Sequence, residues 1–238
     1  EVRVNPNWMV FPNDLAKFGG DPLWKYHGCA CAYPDDFDVI DCPKFGEDVF
    51  QAFIAHQQGI ATRKQHIPHC GCFANVINAM RKCPKVIIGR IHSKAVGGGV
   101  GLASACDYSF ATTKSEIKLS EIAIGIGPFV IEPAVSRKIG KMAMSEMTLN
   151  PTAWKTSKWA FEKGLFSEVF ENIEDLDIRL EEYTNELSSY NPDALLEMKK
   201  VLWEGTSHWD SLLYERAAIS GRLVLSDFTK NALEKFKK

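Results

Sequence analysis

Three consecutive glycines, Gly97, Gly98 and Gly99, and a glutamate further along, Glu121, are the residues of this chain whose types and spacing suit chemistry. The glycines stand where a loop enters a small-residue segment, Val100–Cys106, that continues as a helix. Without β-carbons they let a ligand approach the main chain closely. The first amides of a helix are unpaired and carry the positive end of its dipole, so they can bind a phosphate or polarise a carbonyl. The phosphate motifs fit poorly. Gly97-Gly98-Gly99-Val100-Gly101 ends on Leu102 where G-x-G-x-x-G needs glycine, and no Gly-Lys-Ser/Thr follows. An oxyanion hole, with amides meeting charge that develops on a carbonyl oxygen, remains open. So does a purely structural use, a loop packed tightly under a helix. Glu121 follows a short strand and precedes the turn Gly125-Ile126-Gly127-Pro128. Apolar neighbours such as Ile122 and Ile124 would raise its pKa and suit it to general acid/base work. Its alternative is a solvated surface carboxylate.

The elements that must position these groups read clearly from Phe73 onward. Phe73–Met80 has amphipathic spacing and is followed by Pro84, a helix stop. Val86–Ile91 is a β-branched run that reads as a buried strand. Asp107–Thr112 and Ile117–Leu119 read as short strands. Asn150-Pro151 forms an N-cap and first-turn pair, which predicts a helix through Trp154 and Phe161 to Gly164. Asn191-Pro192 repeats the signature ahead of Ala194–Trp203, and a last helix spans Phe228–Phe236. Strands alternating with helices and then a helical tail give an α/β class.

The first 72 residues are weakly periodic and rich in cysteine and histidine. Cys29, Cys31, Cys42, Cys70 and Cys72 lie here, as do His27, His56, His66 and His69. The C-x-C pairs are not the usual C-x₂₋₄-C spacing of structural zinc sites, so no metal is expected. At 238 residues the chain can bury a sizeable core as one domain. A net charge of −2 offers no basic footprint for nucleic acid, and no apolar run approaches a membrane span. The chain opens on Glu1 with neither initiator Met nor signal-peptide pattern, as expected of a sequence whose start lies further upstream.

On the strength of IHSKAVGGGVGLASACDYSFAT, KLSEIAIGIGP and the helical end SDFTKNALEKFKK, the chain resembles the enoyl-CoA hydratase/isomerase (crotonase) family from Phe73 to Lys238. The resemblance implies a crotonase-like ββα spiral, here 1–190 with an atypical 1–72, and a helical trimerisation region at 191–238. It implies an acyl-CoA substrate, no metal or redox cofactor, reduced thiols, a cytoplasmic enzyme and a homotrimer or homohexamer. Gly98 takes the position of one oxyanion amide. Ala55, in Gln51-Ala52-Phe53-Ile54-Ala55, takes that of the second, although His56-Gln57-Gln58 replaces the family's Gly-Ala-Asp.

Glu121 sits where the family keeps a catalytic glutamate. A second glutamate that many hydratases carry is Gly101 here. With one carboxylate, either Glu121 serves hydration alone or the enzyme shifts a double bond as an enoyl-CoA isomerase. The turn from Gly125 to Pro133 is similar to that of bacterial methylglutaconyl-CoA hydratases, enzymes of leucine degradation, and favours hydration; an inactive acyl-CoA binder is the further alternative. Gly97, Gly99, Gly101 and Pro128 are expected at the substrate. Phe228 and Lys230 are expected at the coenzyme A of a neighbouring subunit, together with Lys237 and Lys238. Glu132 reads as a first-turn helix residue. Trp154, Trp159, Trp203 and Trp209 read as a packed helical layer.

Overall fold

In the computed structural model residues 3–5, 8–12 and 63–234 are described, those before 73 and after 232 by their backbone alone. Two short strands, β1 (Arg3–Asn5) and β2 (Trp8–Pro12), precede a long helix, α1 (Arg63–Lys82). Then come β3 (Val86–Ile91), β4 (Ala95–Val96) and α2 (Gly98–Ala105), followed by β5 (Tyr108–Thr112), β6 (Glu116–Lys118), a 3₁₀ turn (Glu121–Ile124) and α3 (Glu132–Leu149). The chain continues through β7 (Lys155–Thr156), α4 (Ser157–Glu162) and β8 (Glu168–Phe170), and ends in α5 (Ile173–Ser189), α6 (Pro192–Leu202), α7 (Trp209–Leu223) and α8 (Asp227–Glu234).

From β3 to β6 successive strands alternate between two sheets. The larger has the order β1-β2-β3-β5-β8 and is parallel except at β1–β2; the smaller has the order β4-β6-β7. The passes β3-β4-α2 and β5-β6-α3 each lay one strand in each sheet before a helix, the ββα spiral expected from the sequence. The parallel strand β3 is buried along most of its length, which is why it reads as a continuous apolar run. The main core joins α1, α2 and α3 to α7 through Ala74, Ile77, Val100, Ala134 and Leu213. The C-terminal helices therefore share one core with the spiral.

A buried ionic knot pins α6 to the sheet. Lys199 Nζ lies 2.9 Å from Asp107 Oδ2, with both side chains nearly inaccessible. The ammonium also donates to the carbonyls of Met80 and Lys85 at 3.1 and 2.6 Å. Asp107 accepts in addition from the Ile87 amide at 2.7 Å and the Trp203 indole N–H at 2.6 Å. Every polar atom of this pair is thus satisfied, the condition under which a buried ion pair is tolerated.

Several expected elements hold and one does not. Asn191 caps α6, accepting from the amides of Asp193 and Ala194, with Pro192 in the first turn. The identical Asn150-Pro151 dipeptide opens no helix. Asn150 is the C-cap of α3, Pro151 lies in the turn that follows, and the next helix starts only at Ser157, capped by Thr156 accepting from the Trp159 amide. The intervening residues are needed as β7, which pairs antiparallel with β6. Gly164 does end that helix, at φ 82°. Of the tryptophans, Trp203 and Trp209 pack edge to face in the core. Trp154 lies apart from them, its ring under the ammonium groups of Lys94 and Lys118.

Candidate active site

The glycine loop is built by a backbone that only glycine adopts readily. Gly97 has φ 54° and ψ −115° and forms the N-cap of α2. Its amide donates to the Lys118 carbonyl at 2.9 Å, fixing the loop to β6, and its own carbonyl accepts from Val100 and Gly101. Gly98 and Gly99 are the first residues of the helix, so their amides lie ahead of the intrahelical bonds. Among the described residues those two amides donate to no acceptor. They point out of the positive end of α2, as an oxyanion hole requires.

Glu121 is delivered to the same place by β6 and the buried Leu119. Its carboxylate lies against Gly97, where a β-carbon would stand 2.7 Å from Glu121 Oε1. The other oxygen, Oε2, is buried and has no hydrogen-bond partner among the described residues. Burial pushes the carboxyl above its usual range, and hydrogen bonding with the main chain of Glu121 and Ser120 only partly offsets that. A carboxyl that holds its proton more tightly than usual, beside free amides, can deliver a proton to a carbon next to a polarised carbonyl, or remove one.

The remaining face of α2 is apolar. Phe73 lies over Gly98, whose β-carbon would be 3.0 Å from Phe73 Cε2. Gly101, one turn on and buried, faces Ile131: a β-carbon there would stand 2.7 Å from Ile131 Cβ and closer still to Cγ2. A side chain at residue 101 cannot be placed unless Ile131 shifts. Gly99 has ordinary room, its β-carbon position 3.5 Å from Ala95 Cβ.

The other expected site residues divide into those near Glu121 and those beyond view. Pro128 is buried after the turn and lines a cleft of about 410 Å³ with Ile122, Phe129, Met144, Lys141 and Arg216. Glu132 opens α3, as expected. It accepts from Ser136 at 2.6 Å and from Arg216 at 3.0 Å, so its carboxylate is committed to an ion pair at the edge of that cleft. Phe228 and Lys230 lie on α8, which packs against the 3₁₀ turn of its own chain. Phe228 meets Gly125, and Lys230 pairs with Asp227 at 3.1 Å. Ala55, Lys237 and Lys238 lie outside the described residues, as do the side chains of His66, His69, Cys70 and Cys72. Among the described residues no cluster of metal-ligating side chains occurs. Sequence reasoning missed Phe73 and Ile131, whose significance comes from contacts with glycines distant in the chain.

The family model described as enoyl-CoA hydratase/isomerase matches residues 46–231. The human mitochondrial Delta(3,5)-Delta(2,4)-dienoyl-CoA isomerase is 26% identical over 165 residues, covering 67% of this chain and 49% of that protein. Enoyl-CoA hydratase AKT6-1 of Alternaria alternata is 31% identical over 126 residues, covering 52% and 42%. The chain spans about half the length of the curated relatives it matches. Among solved structures, an enoyl-CoA hydratase from Mycobacterium avium superposes with a TM-score of 0.68 at 23% identity, covering 74% of this chain and 68% of that one. One from Bacillus halodurans gives 0.68 at 22% identity, covering 79% and 74%. At these identities the likeness establishes the crotonase fold.

Proposed function

The chain belongs to the enoyl-CoA hydratase/isomerase family, and from that premise we propose that it hydrates an enoyl-CoA thioester with Glu121 as its single acid/base. The amide of Gly98, with that of Ala55 as the proposed second donor, polarises the thioester carbonyl and stabilises the enolate that forms when C3 is attacked. Glu121 orients the water and returns a proton to C2. The observation that carries this reading is the Glu121 carboxylate against Gly97, one oxygen buried and unpartnered, beside two free helix amides. Water has an approach from the outer side of the turn, where Ile122 and Ala123 are exposed.

The acyl group we propose is methylglutaconyl-like, from the likeness of the Gly125–Pro133 turn. The cleft beside that turn offers apolar walls and the cation Lys141 to a distal carboxylate, Arg216 being paired with Glu132. An enoyl-CoA with a distal carboxylate should then have a higher kcat/KM than its methyl-ended counterpart. We further propose that the enzyme works in the cytoplasm without metal or redox cofactor, as a homotrimer or homohexamer. Light scattering that gives only monomer would contradict the assembly.

One observation favours the isomerase reading instead. Ile131 and Phe73 leave the Gly98–Gly101 face of α2 apolar, with no second group among the described residues to hold a water. Turnover in ¹⁸O-labelled water decides. Hydration gives a labelled 3-hydroxyacyl product; a shifted alkene without label establishes the isomerase, and binding with no product an inactive homologue. Glu121→Gln should lower turnover by about 10²–10⁴-fold.

A further inference from the structure

None of the four residues of the 3₁₀ turn that carries Glu121 is fully buried, and Ile122 and Ala123 are exposed, so apart from the Glu121 carboxyl its side chains tie it only weakly to the core. Short-range main-chain bonds close it: Ala123 N–H to the Ser120 carbonyl at 3.1 Å, and Gly125 N–H to the Ile122 carbonyl and Ile126 N–H to the Glu121 carbonyl, both at 3.0 Å. A half-exposed turn held by local bonds alone opens readily unless a neighbour backs it. Helix α3 borders it on one side and α8 lies on the other.

The contact with α8 is made at a bare Cα. Gly125 has φ 82°, and a β-carbon there would stand 2.5 Å from Phe228 Cδ1 and 2.6 Å from Thr229 Oγ1. Thr229 is fully buried. Its hydroxyl donates to the Leu223 carbonyl at 3.2 Å, and its amide donates to Ser226 Oγ at 3.3 Å. The first turn of α8 is therefore locked to the end of α7, and this locked turn is what rests on Gly125. Phe228 is 65% exposed even while it touches the glycine, so core burial does not account for an aromatic ring at this position.

We propose that Phe228 and Thr229 are positioning residues for Glu121: seated on Gly125, they hold the 3₁₀ turn closed and keep the carboxylate against Gly97. The path is short. The helix fixes Gly125, the next amide fixes the Glu121 carbonyl, and the side chain follows its own backbone. Turnover then depends on α8 being docked on the turn of its own chain. This rests on Glu121 being the proton carrier.

The test uses the full chain with trans-2-butenoyl-CoA as probe, and hydrogen exchange at the Gly125 and Ile126 amides, which needs no substrate. Phe228→Ala should lower kcat about tenfold, since small displacements of a reacting group are costly. KM should stay within about twofold, and both amides should exchange faster. Phe228→Leu should restore most of the rate and the protection. Thr229→Val should act in the same direction, and it stands in if Phe228→Ala does not fold. A raised KM at unchanged kcat would make Phe228 a ligand contact and overturn the proposal, as would unchanged amide exchange in both variants. Glu121→Gln separates the two levels. If it retains full turnover, the role of Glu121 itself falls. If it abolishes turnover while the α8 variants leave kcat and exchange intact, only the positioning role falls.

Discussion

A β-carbon on Gly97 would stand 2.7 Å from Glu121 Oε1, so the loop glycine and the acidic side chain share one another's space. The glycine is demanded twice, by that carboxylate and by its own φ of 54°. Gly97→Ala should therefore cost at least about 1–2 kcal/mol in backbone strain alone and also displace the carboxylate. Gly99→Ala, which meets only ordinary contact with Ala95, should be neutral or stabilise α2 by up to about 1 kcal/mol. Denaturant unfolding of the two variants checks the contrast, and equal losses would contradict it.

Burial raises the carboxyl of Glu121 above its ordinary 4.5. A carboxyl shifted in this direction is neutral in both states below its unfolded pKa and costs nothing there. The penalty grows as pH rises through the folded value, because the unfolded chain ionises more easily. Glu121→Gln should thus raise the melting temperature at neutral pH, with the advantage fading below about pH 4.5. Melting curves across that range test it; a gain independent of pH would show that ionisation is not its source.

The Asp107–Lys199 pair should carry far more stability than any surface pair. Asp107→Ala leaves a buried ammonium without its counter-charge and should cost about 3–5 kcal/mol. Lys200→Ala removes an exposed pair with Glu197 on the same helix and should cost no more than about 1 kcal/mol. Comparable losses in urea titrations would mean the knot is less well buried than its geometry indicates.

Cys106 is buried, and desolvation pushes its thiol up to about 12. The nucleophilic thiolate is therefore scarce at neutral pH. Iodoacetamide mapped by mass spectrometry should leave Cys106 unmodified in the native protein and label it after denaturation. Native labelling at the denatured rate would contradict this.

The parts of the site legible in the sequence were those with a local signature. Gly97 and Gly98 announce a loop-to-helix junction, and Glu121 follows a strand and precedes a glycine turn. Asn191-Pro192 caps its helix as it reads. The identical Asn150-Pro151 misleads because α3 runs into it from behind and β6 requires a strand partner just after it. A dipeptide carries neither demand. The contacts of Ile131 with Gly101, Phe228 with Gly125 and Lys199 with Asp107 join segments far apart in the chain, and one sequence holds no trace of such pairings. Ala55, the proposed second oxyanion donor, lies outside the described residues, in a stretch whose periodicity was too weak to assign an element.

The close packing of Gly101 against Ile131 also constrains how this site can evolve. Gaining a carboxylate at residue 101 takes two changes, and each is costly alone. A side chain introduced first collides with the β-branched Ile131 inside the core, where overpacking costs about 1–3 kcal/mol or more. Shrinking Ile131 first leaves a cavity, at about 2–5 kcal/mol for a change to alanine. Either first step is costly on its own, so isoleucine at residue 131 holds residue 101 to glycine.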